Sequence, residues 1–215
     1  MNTVLVTGFG AYAEEAENPS GRIAVRLDGR VIEGVQLYGR VLPVGTDLVG
    51  PALADAIAEI DPAVVIITGV TPGRAMPAIE RVAINVRDFP IPDIEGKAPI
   101  DEPTVTDGPT AYFSTLPVKA ILSAWRDAGI AGYVSNSAGT YVCNQTFYLS
   151  RHLTAGTTAI AGLVHIPLAT ANAVGTLPPP PSLPLDVLEQ AVCLAAVVAA
   201  THEGDDLHLG AGSTS

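Results

Sequence analysis

Cys143 is the residue whose position most favours chemistry. The sequence predicts a helix over residues 141–153, after a strand at 133–136 and a turn of small residues at 137–139. The positive end of a helix dipole stabilises a thiolate, and the free N–H groups there can hold a developing oxyanion. Cys143 is therefore a candidate nucleophile. A buried structural cysteine is the alternative, as Cys193 in its apolar helical stretch illustrates.

His165 is the candidate base for such a nucleophile. It ends a predicted strand at 159–165, and the carboxyl ends of strands in open α/β sheets converge on the crevice where ligands bind. A structural histidine at a strand end is the alternative interpretation. His152 lies near the far end of the nucleophile's own helix, too distant to reach the thiol. His202 and His208 fall near the C-terminus.

Glu80 is the candidate for the group that orients the imidazole. It interrupts an apolar, strand-like stretch at residues 78–86. A charged side chain in such a strand is either paired or functional. Arg81 is a poor partner, because neighbours in a strand point to opposite faces. A carboxylate that fixes the imidazole would complete a nucleophile, base and orienting group.

The elements that must position these residues alternate along the chain. Apolar β-branched runs and amphipathic helical stretches follow one another, which predicts an α/β sandwich around a mostly parallel sheet. We expect one domain over residues 1–202, a long ordered loop at 90–109 and a flexible tail at 203–215. Strands are predicted at 4–7, 31–37, 38–44, 64–68, 78–86, 133–136 and 159–165, and helices at 22–27 with Ser20 as N-cap, 46–60, 118–127, 141–153 and 185–200.

The composition excludes several classes of partner. The formal net charge is −11, which repels nucleic acid and anionic membranes. No apolar run reaches the roughly 18–20 residues that span a bilayer, and the first residues resemble a strand rather than a signal peptide. The two cysteines fit neither a disulfide framework nor a metal site. We therefore expect a protein of the reducing cytoplasm.

Several segments resemble the pyroglutamyl-peptidase I family of cysteine peptidases. The similarity spans about residues 3–200, and the segments are long, specific and in order. They are GR at 73–74, IERVAIN at 79–85, IPD at 91–93, TAYFSTLP at 110–117, SNSAGTYVCN at 135–144, HIP at 165–167 and PPS at 180–182.

This resemblance implies a three-layer α/β/α sandwich around a mostly parallel, mixed sheet, with no metal or organic cofactor. It implies Cys143 as nucleophile, His165 as general acid/base and Glu80 as the residue that orients His165. The implied reaction removes an N-terminal pyroglutamyl group from a peptide through a thioacyl-enzyme. Arg74 matches a family position without an assigned role. The family also implies a homotetramer.

The substrate end implied by the family is a neutral lactam, which needs an apolar slot with backbone polar groups. The family builds part of this slot from a first loop of the pattern TGFxPFGG followed by NP. Phe9 and Asn18 keep that pattern, and Tyr12 stands at its second phenylalanine. The segment 69–73, which contains Thr71, is a second wall. We expect Phe9, Tyr12, Asn18 and Thr71 to bind the substrate.

The first loop also departs from the family. Ala11 replaces the proline, and Ala13 and Glu14 replace the two glycines. These changes leave open a thiol amidase with the same triad and a different acyl group. A non-catalytic binding homologue is a further alternative, although all three triad positions hold competent residues. Nucleoside binding is suggested by the fold alone. The loop at 8–10, which would hold a phosphate, lacks the full glycine fingerprint and has no basic residue beside it.

Overall fold

The computed structural model describes residues 2–12 and 17–212, which form strands and helices in alternation. The strands are β1 Thr3–Phe9, β2 Val31–Ile32, β3 Val35–Leu42, β4 Val64–Val70, β5 Ala78–Glu80, β6 Val82–Ile84, β7 Ala111–Phe113, β8 Tyr133–Ser135, β9 Ile160–Ile166, β10 Leu168–Ala169 and β11 Ser182–Leu183. The helices are α1 Pro19–Leu27, α2 Val49–Ile60, α3 Val118–Asp127, α4 Val142–Leu153, α5 Thr170–Ala173 and α6 Leu185–Thr201.

The main sheet has seven strands in the order β2-β3-β1-β4-β9-β5-β8. Its central strands β3, β1, β4 and β9 are parallel, as are β5 and β8. The β2–β3 and β5–β9 pairs are antiparallel. This arrangement confirms the mostly parallel, mixed sheet. Strand β4 is buried on both faces, which explains why its sequence is a nearly continuous apolar run.

Helices cover the sheet on both faces and complete three layers. One core contains Ile23 of α1, Trp125 of α3 and Leu188 of α6. The core on the other face contains Leu53 of α2 and Phe147 of α4. The α/β/α sandwich is therefore confirmed. None of the helices in the described ranges is long and apolar enough to cross a membrane.

The start of α1 differs from the prediction. Ser20 is not the N-cap; Asn18 is, and its side chain accepts a hydrogen bond from the Ser20 N–H. Pro19 fits the first turn because its missing N–H would be unpaired there in any case. The Ser20 hydroxyl instead accepts the Phe9 N–H at 3.0 Å, which ties α1 to the end of β1.

The strand boundaries at 31–44 also differ from the prediction. The turn falls at Glu33 and Gly34, whose φ angles are 50° and 80°, rather than between Leu37 and Tyr38. Two consecutive positive φ angles are those of the tight turns that join antiparallel strands. Strand β3 therefore runs unbroken through the predicted break.

Helix α2 begins at Val49 rather than at Thr46. The Thr46 N–H donates to the buried Asp93 carboxylate at 2.7 Å, and its hydroxyl donates to Gln145 on α4 at 3.0 Å. These contacts hold residues 45–48 in a turn. The long loop at 90–109 is thereby fixed to both helices of this face.

The stretch predicted as one strand at 78–86 is two strands in two sheets. The chain bends at Arg81, whose N–H donates to Ser135 of β8 and whose carbonyl accepts from Ser114. Strand β5 lies in the main sheet, and β6 pairs with β7 in a separate ribbon. The sequence did not predict β7, β10, β11 or α5, which are all very short.

The segment after α6 packs back onto α3. The Asp206 carboxylate accepts the N–H groups of Lys119 and Ala120 in the first turn of α3. Because Pro117 provides no side-chain cap, Asp206 satisfies N–H groups that would otherwise lack partners. The flexibility expected for residues 203–215, and the extent of the domain, stay predictions.

Candidate active site

The sheet brings Glu80 and His165 onto the same face. Strands β5 and β9 pair so that Ala78 lies opposite His165 and Glu80 opposite Leu163. Glu80 and His165 are therefore diagonal neighbours, within reach of long side chains. His165 Nδ1 lies 2.7 Å from Glu80 Oε1. Because an ionised carboxylate only accepts hydrogen bonds, Nδ1–H is the donor, and Nε2 remains unprotonated in the neutral ring.

Gly69 of β4 makes room for the thiol beside this imidazole. It pairs with His165 in the parallel β4–β9 ladder. A Cβ built on Gly69 would lie 2.7 Å from Sγ of Cys143 and 3.4 Å from Nε2 of His165. The sulfur and the ring nitrogen thus both lie within 3.4 Å of one point above the strand. The thiol and the imidazole therefore lie side by side over the same residue of β4, which is the placement that a nucleophile and its base require.

Cys143 lies in the first turn of α4, as predicted. The N-cap, Tyr141, makes no side-chain hydrogen bond to the helix, so the first N–H groups are available to a ligand. Asn144 is completely buried and fixes this end of the helix. Its amide accepts the Ile84 N–H at 3.0 Å and donates to the carbonyls of Ile84 and Val86.

The surroundings of Glu80 shift its pKa and that of His165. Burial alone raises the pKa of the Glu80 carboxyl, but the hydrogen bond and charge of His165, the Ser135 hydroxyl and the charge of Arg74 outweigh it. The net pKa is lowered, and Glu80 is ionised. Burial lowers the pKa of His165 more than Glu80 raises it, and the charge of Arg74 lowers it further. The resting imidazole is therefore neutral.

The thiol is also neutral at rest. Burial, followed by the negative charge of Glu80, raises the pKa of Cys143 to about 12, although the charge of Arg74 and a backbone N–H act in the opposite direction. This shift is opposite in direction to the effect of a helix N-terminus on a thiol, because the surroundings of the sulfur are mostly apolar. The two groups therefore become charged only if a proton passes from the sulfur to the imidazole.

A cavity of about 460 Å³ opens beside the thiol. Its wall is mostly apolar and is drawn from the first loop, the segment 70–72, the nucleophile helix and the segment 168–180. The residues that line it are Phe9, Tyr12, Glu17, Asn18, Pro19, Val44, Val70, Pro72, Ile91, Tyr141, Val142, Cys143, Leu168, Asn172, Thr176 and Pro180.

Three of the four predicted substrate-binding residues line this cavity, namely Phe9, Tyr12 and Asn18. Thr71 does not line it; its neighbours Val70 and Pro72 do. The Thr71 N–H donates to the Ile166 carbonyl at 2.9 Å, and alternate residues of an extended chain point to opposite sides. Substrate binding by these residues stays a prediction.

Tyr12 and Tyr141 form one side of the cavity. Their hydroxyl groups both donate to the carbonyl of Pro92, and their ring centroids lie 5.9 Å apart. The Tyr12 hydroxyl, which a phenylalanine would lack, is therefore satisfied by the loop at 90–109. Ala13 and Glu14 lie outside the described residues.

Other candidate residues lie away from the thiol. His152 Nδ1 is 2.9 Å from the Tyr112 hydroxyl, at the far end of α4. Cys193 packs against the core on the opposite face of the sheet. Within the described ranges, no group of three or more His, Cys, Asp or Glu side chains is arranged to hold a metal ion.

Sequence reasoning missed part of the site. Arg74 contacts Glu80, yet its loop position gave no role. Leu168 and Asn172 line the cavity from the short segment after β9, which contains no recognisable motif. The available signals were the GR segment at 73–74, which resembles the family, and the place of Arg74 as a basic residue in the loop between two predicted strands.

Comparison with known proteins assigns the chain to a family. A family model described as pyroglutamyl peptidase matches residues 2–202. The chain belongs to the pyroglutamyl peptidase family. A pyrrolidone-carboxylate peptidase of Pseudomonas fluorescens is 42% identical over 216 residues, covering 100% of each chain. One of Pyrococcus furiosus is 44% identical over 201 residues, covering 91% of this chain and 97% of the relative.

A solved structure agrees with this membership. The pyrrolidone carboxyl peptidase from Thermococcus litoralis is 36% identical and superimposes with a TM-score of 0.93, covering 98% of this chain and 100% of that one. The resemblance to the pyroglutamyl peptidase family, and the fold it implied, are both confirmed.

The neutral thiol leads to a prediction for this member of the pyroglutamyl peptidase family. In a Cys193→Ser background, which leaves a single cysteine, we expect iodoacetamide alkylation of Cys143 to accelerate steadily from about pH 7 to about pH 10, because only the thiolate reacts. The rate is measured by mass spectrometry of the Cys143 peptide. A rate that is already constant above about pH 6 would show a preformed thiolate and contradict this expectation.

Proposed function

We propose that this protein is a cysteine hydrolase that releases the N-terminal pyroglutamyl group from peptides. The observation that carries the proposal is the Glu80–His165 pair beside the Cys143 thiol, at the wall of an apolar cavity. Membership of the pyroglutamyl peptidase family supports it. The acyl group and the three catalytic roles are inferred from this combination.

The first half of the reaction forms a thioester. As Sγ of Cys143 attacks the pyroglutamyl carbonyl, His165 Nε2 takes the thiol proton, and Glu80 stabilises the imidazolium. The carbonyl oxygen gains negative charge beside the free N–H groups at the start of α4. The imidazolium then gives its proton to the leaving amine, the C–N bond breaks, and the shortened peptide departs.

The second half uses the same base. Neutral His165 removes a proton from a water molecule, which attacks the thioester carbonyl. The C–S bond breaks, the sulfur recovers the proton from the imidazolium, and pyroglutamic acid is released. Both halves require an imidazole that is neutral at rest, which the burial of His165 provides.

The cavity supports a neutral acyl group. Phe9, Val44, Ile91, Tyr141 and Val142 present apolar surface, which suits a lactam ring. The Glu17 carboxylate also lines the cavity, but it is paired with Arg22, so the ammonium group of an N-terminal proline is disfavoured. The Tyr12 hydroxyl is bonded to the Pro92 carbonyl, so the substitution of tyrosine for phenylalanine adds no free polar group to the wall. This favours the pyroglutamyl assignment over an amidase of different acyl specificity.

The setting of the activity is part of the same proposal. We infer that the protein works in a reducing cytoplasm as a homotetramer, as the family resemblance implies. Two unpaired cysteines support the compartment. Exposed Val174 and Leu177, 78% and 91% accessible, support burial against another copy.

The substrate assignment predicts a clear ranking of model substrates. We expect fluorophore release from the pyroglutamyl amide, and at least about 100-fold lower kcat/KM for the prolyl and alanyl amides, because burying their ammonium group in the apolar cavity is costly. Fluorescence assays at equal enzyme concentration provide the comparison. A prolyl amide that is cleaved faster than the pyroglutamyl amide would overturn the assignment.

The two cysteines should respond differently to replacement. Cys143→Ser is expected to lower kcat by about 10⁴-fold or more, because a serine hydroxyl is a far weaker nucleophile in a site built around a thiol. Cys193→Ser should retain turnover within about twofold, because this partly buried residue packs against the core on the opposite face of the sheet, away from the reacting groups. Equal losses in both variants would refute the choice of nucleophile.

Gly69→Ala tests the position of the thiol without removing it. The new methyl group would lie 2.7 Å from Sγ, so the flexible Cys143 side chain must move. We expect kcat to fall by about 100-fold, since small misplacements of reacting groups have effects of this size. The unfolding midpoint should stay close to wild type, because only a side-chain end is displaced. Wild-type kcat in the variant would show that the sulfur tolerates this shift.

A further inference from the structure

We propose that Arg74 is a positioning residue of this site, which holds Glu80 in register with His165 and links it to the turn before the nucleophile helix. The proposal goes beyond the three roles inferred above and rests on the proposed function for its kinetic part.

Arg74 and His165 share one carboxylate oxygen. Arg74 Nη1 donates to Glu80 Oε1 at 2.7 Å, the same distance at which His165 Nδ1 approaches that atom. The other oxygen, Oε2, is buried and makes no hydrogen bond of normal geometry within the described part of the chain, although the nearby Ser135 hydroxyl helps to lower the pKa of the carboxyl. Two donors at one oxygen therefore fix the plane of the carboxylate, and Arg74 is one of them.

The same guanidinium group reaches the entry to α4. Its Nη2 donates to the Ser137 carbonyl at 3.3 Å, in the turn that leads to the helix. It also lies 3.5 Å from the Ser135 hydroxyl at the end of β8, and its carbon sits 5.7 Å from the centre of the Tyr133 ring. Arg74 thus connects the orienting carboxylate to the turn that carries the nucleophile.

Charge gives Arg74 a role that His165 cannot fill. The Glu80 side chain is 0% exposed, and a carboxylate in such a position needs a compensating cation. The imidazole is neutral at rest, so Arg74 is the permanent positive partner. Its own side chain is only 19% exposed, which limits screening by solvent.

Arg74 also affects the basicity of the imidazole. The ionisable groups around the His165 ring are Glu80 on β5, Arg74 in the loop before β5 and Cys143 on α4; its neighbour in β4 is the uncharged Gly69. The positive charge of Arg74 opposes protonation of the ring and lowers its pKa. Removal of this charge should therefore raise the pKa at which the Glu80–His165 pair loses its proton.

The test compares Arg74→Met with Arg74→Lys. For Arg74→Met we expect kcat/KM for the pyroglutamyl amide to fall about 10- to 100-fold, mainly through kcat, as for other groups that orient a reacting imidazole. The acid limb of its pH profile should move up by about one pH unit. Arg74→Lys keeps the positive charge but loses the planar guanidinium group. The acid limb of its pH profile should therefore stay near that of wild type.

Arg81→Met is the matched control. Arg81 follows Glu80 directly, points to the other face and bonds to Asn136, so its removal should leave the acid limb in place and kcat/KM within about twofold. Thermal unfolding of every variant identifies any loss of folded protein. Arg74→Gln, which is neutral and polar, provides the same charge comparison where Arg74→Met does not fold.

An NMR titration of the His165 ring separates this proposal from the proposed function. The ring signal is assigned with His165→Gln and followed with pH in wild type, Arg74→Met and Arg74→Lys, with no substrate present. An upward shift of the titration in Arg74→Met alone supports the proposal even in a protein that fails to cleave the pyroglutamyl amide. An unshifted titration, or equal losses of kcat/KM in the methionine and lysine variants with an unshifted acid limb, would overturn it.

Discussion

The buried Glu80 carboxylate is the interaction on which the site depends. It is removed from water, it is ionised, and His165 and Arg74 donate to the same oxygen. An unpaired charge in this position would destabilise the fold by about 3–5 kcal/mol. The same free energy therefore holds both donors in hydrogen-bonding contact with the carboxylate. The orientation of the imidazole is a consequence of this electrostatic requirement.

Burial has opposite effects on the partners of this carboxylate. It raises the pKa of Cys143 and lowers that of His165, so both groups favour their neutral forms in the substrate-free protein. The thiol and the imidazole therefore carry no charge until a substrate carbonyl is present. In the proposed reaction the dipole of α4 would act on a developing oxyanion rather than on a resting thiolate, which suits a helix start without a side-chain cap.

The rigid and variable parts of the site lie in different elements. The three central groups come from β5, β9 and the first turn of α4, each fixed by the sheet or by the buried amide of Asn144. The cavity wall comes mainly from loops and from the short elements between β9 and α6. Loops tolerate substitution, which explains how Tyr12 can replace an expected phenylalanine while its hydroxyl finds a carbonyl in a neighbouring loop.

Much of the fold and the central residues could be predicted from the sequence, for physical reasons that are local. The apolar run at 64–68 identifies a strand buried on both faces, and the position of Cys143 after a small-residue turn identifies a helix start. Glu80 stands out because a charge in an apolar strand requires a partner. The short sequence segments around these residues were also sufficient to recognise the family. Boundaries failed where side chains distant in sequence decide them, as Asp93 does for the start of α2.

Only the tertiary structure decided how these residues meet. The bend at Arg81, which ends β5, depends on hydrogen bonds to Ser114 and Ser135, which no local pattern reveals. The role proposed for Arg74 rests on a contact between the loop before β5 and the end of that strand, and the neutral state of the thiol follows from the packing of several elements around it. The sequence by itself determined which side chains are candidates for chemistry and most of the strands and helices that hold them. Packing decided their distances, their charges and the shape of the cavity, because these depend on atoms that are far apart along the chain.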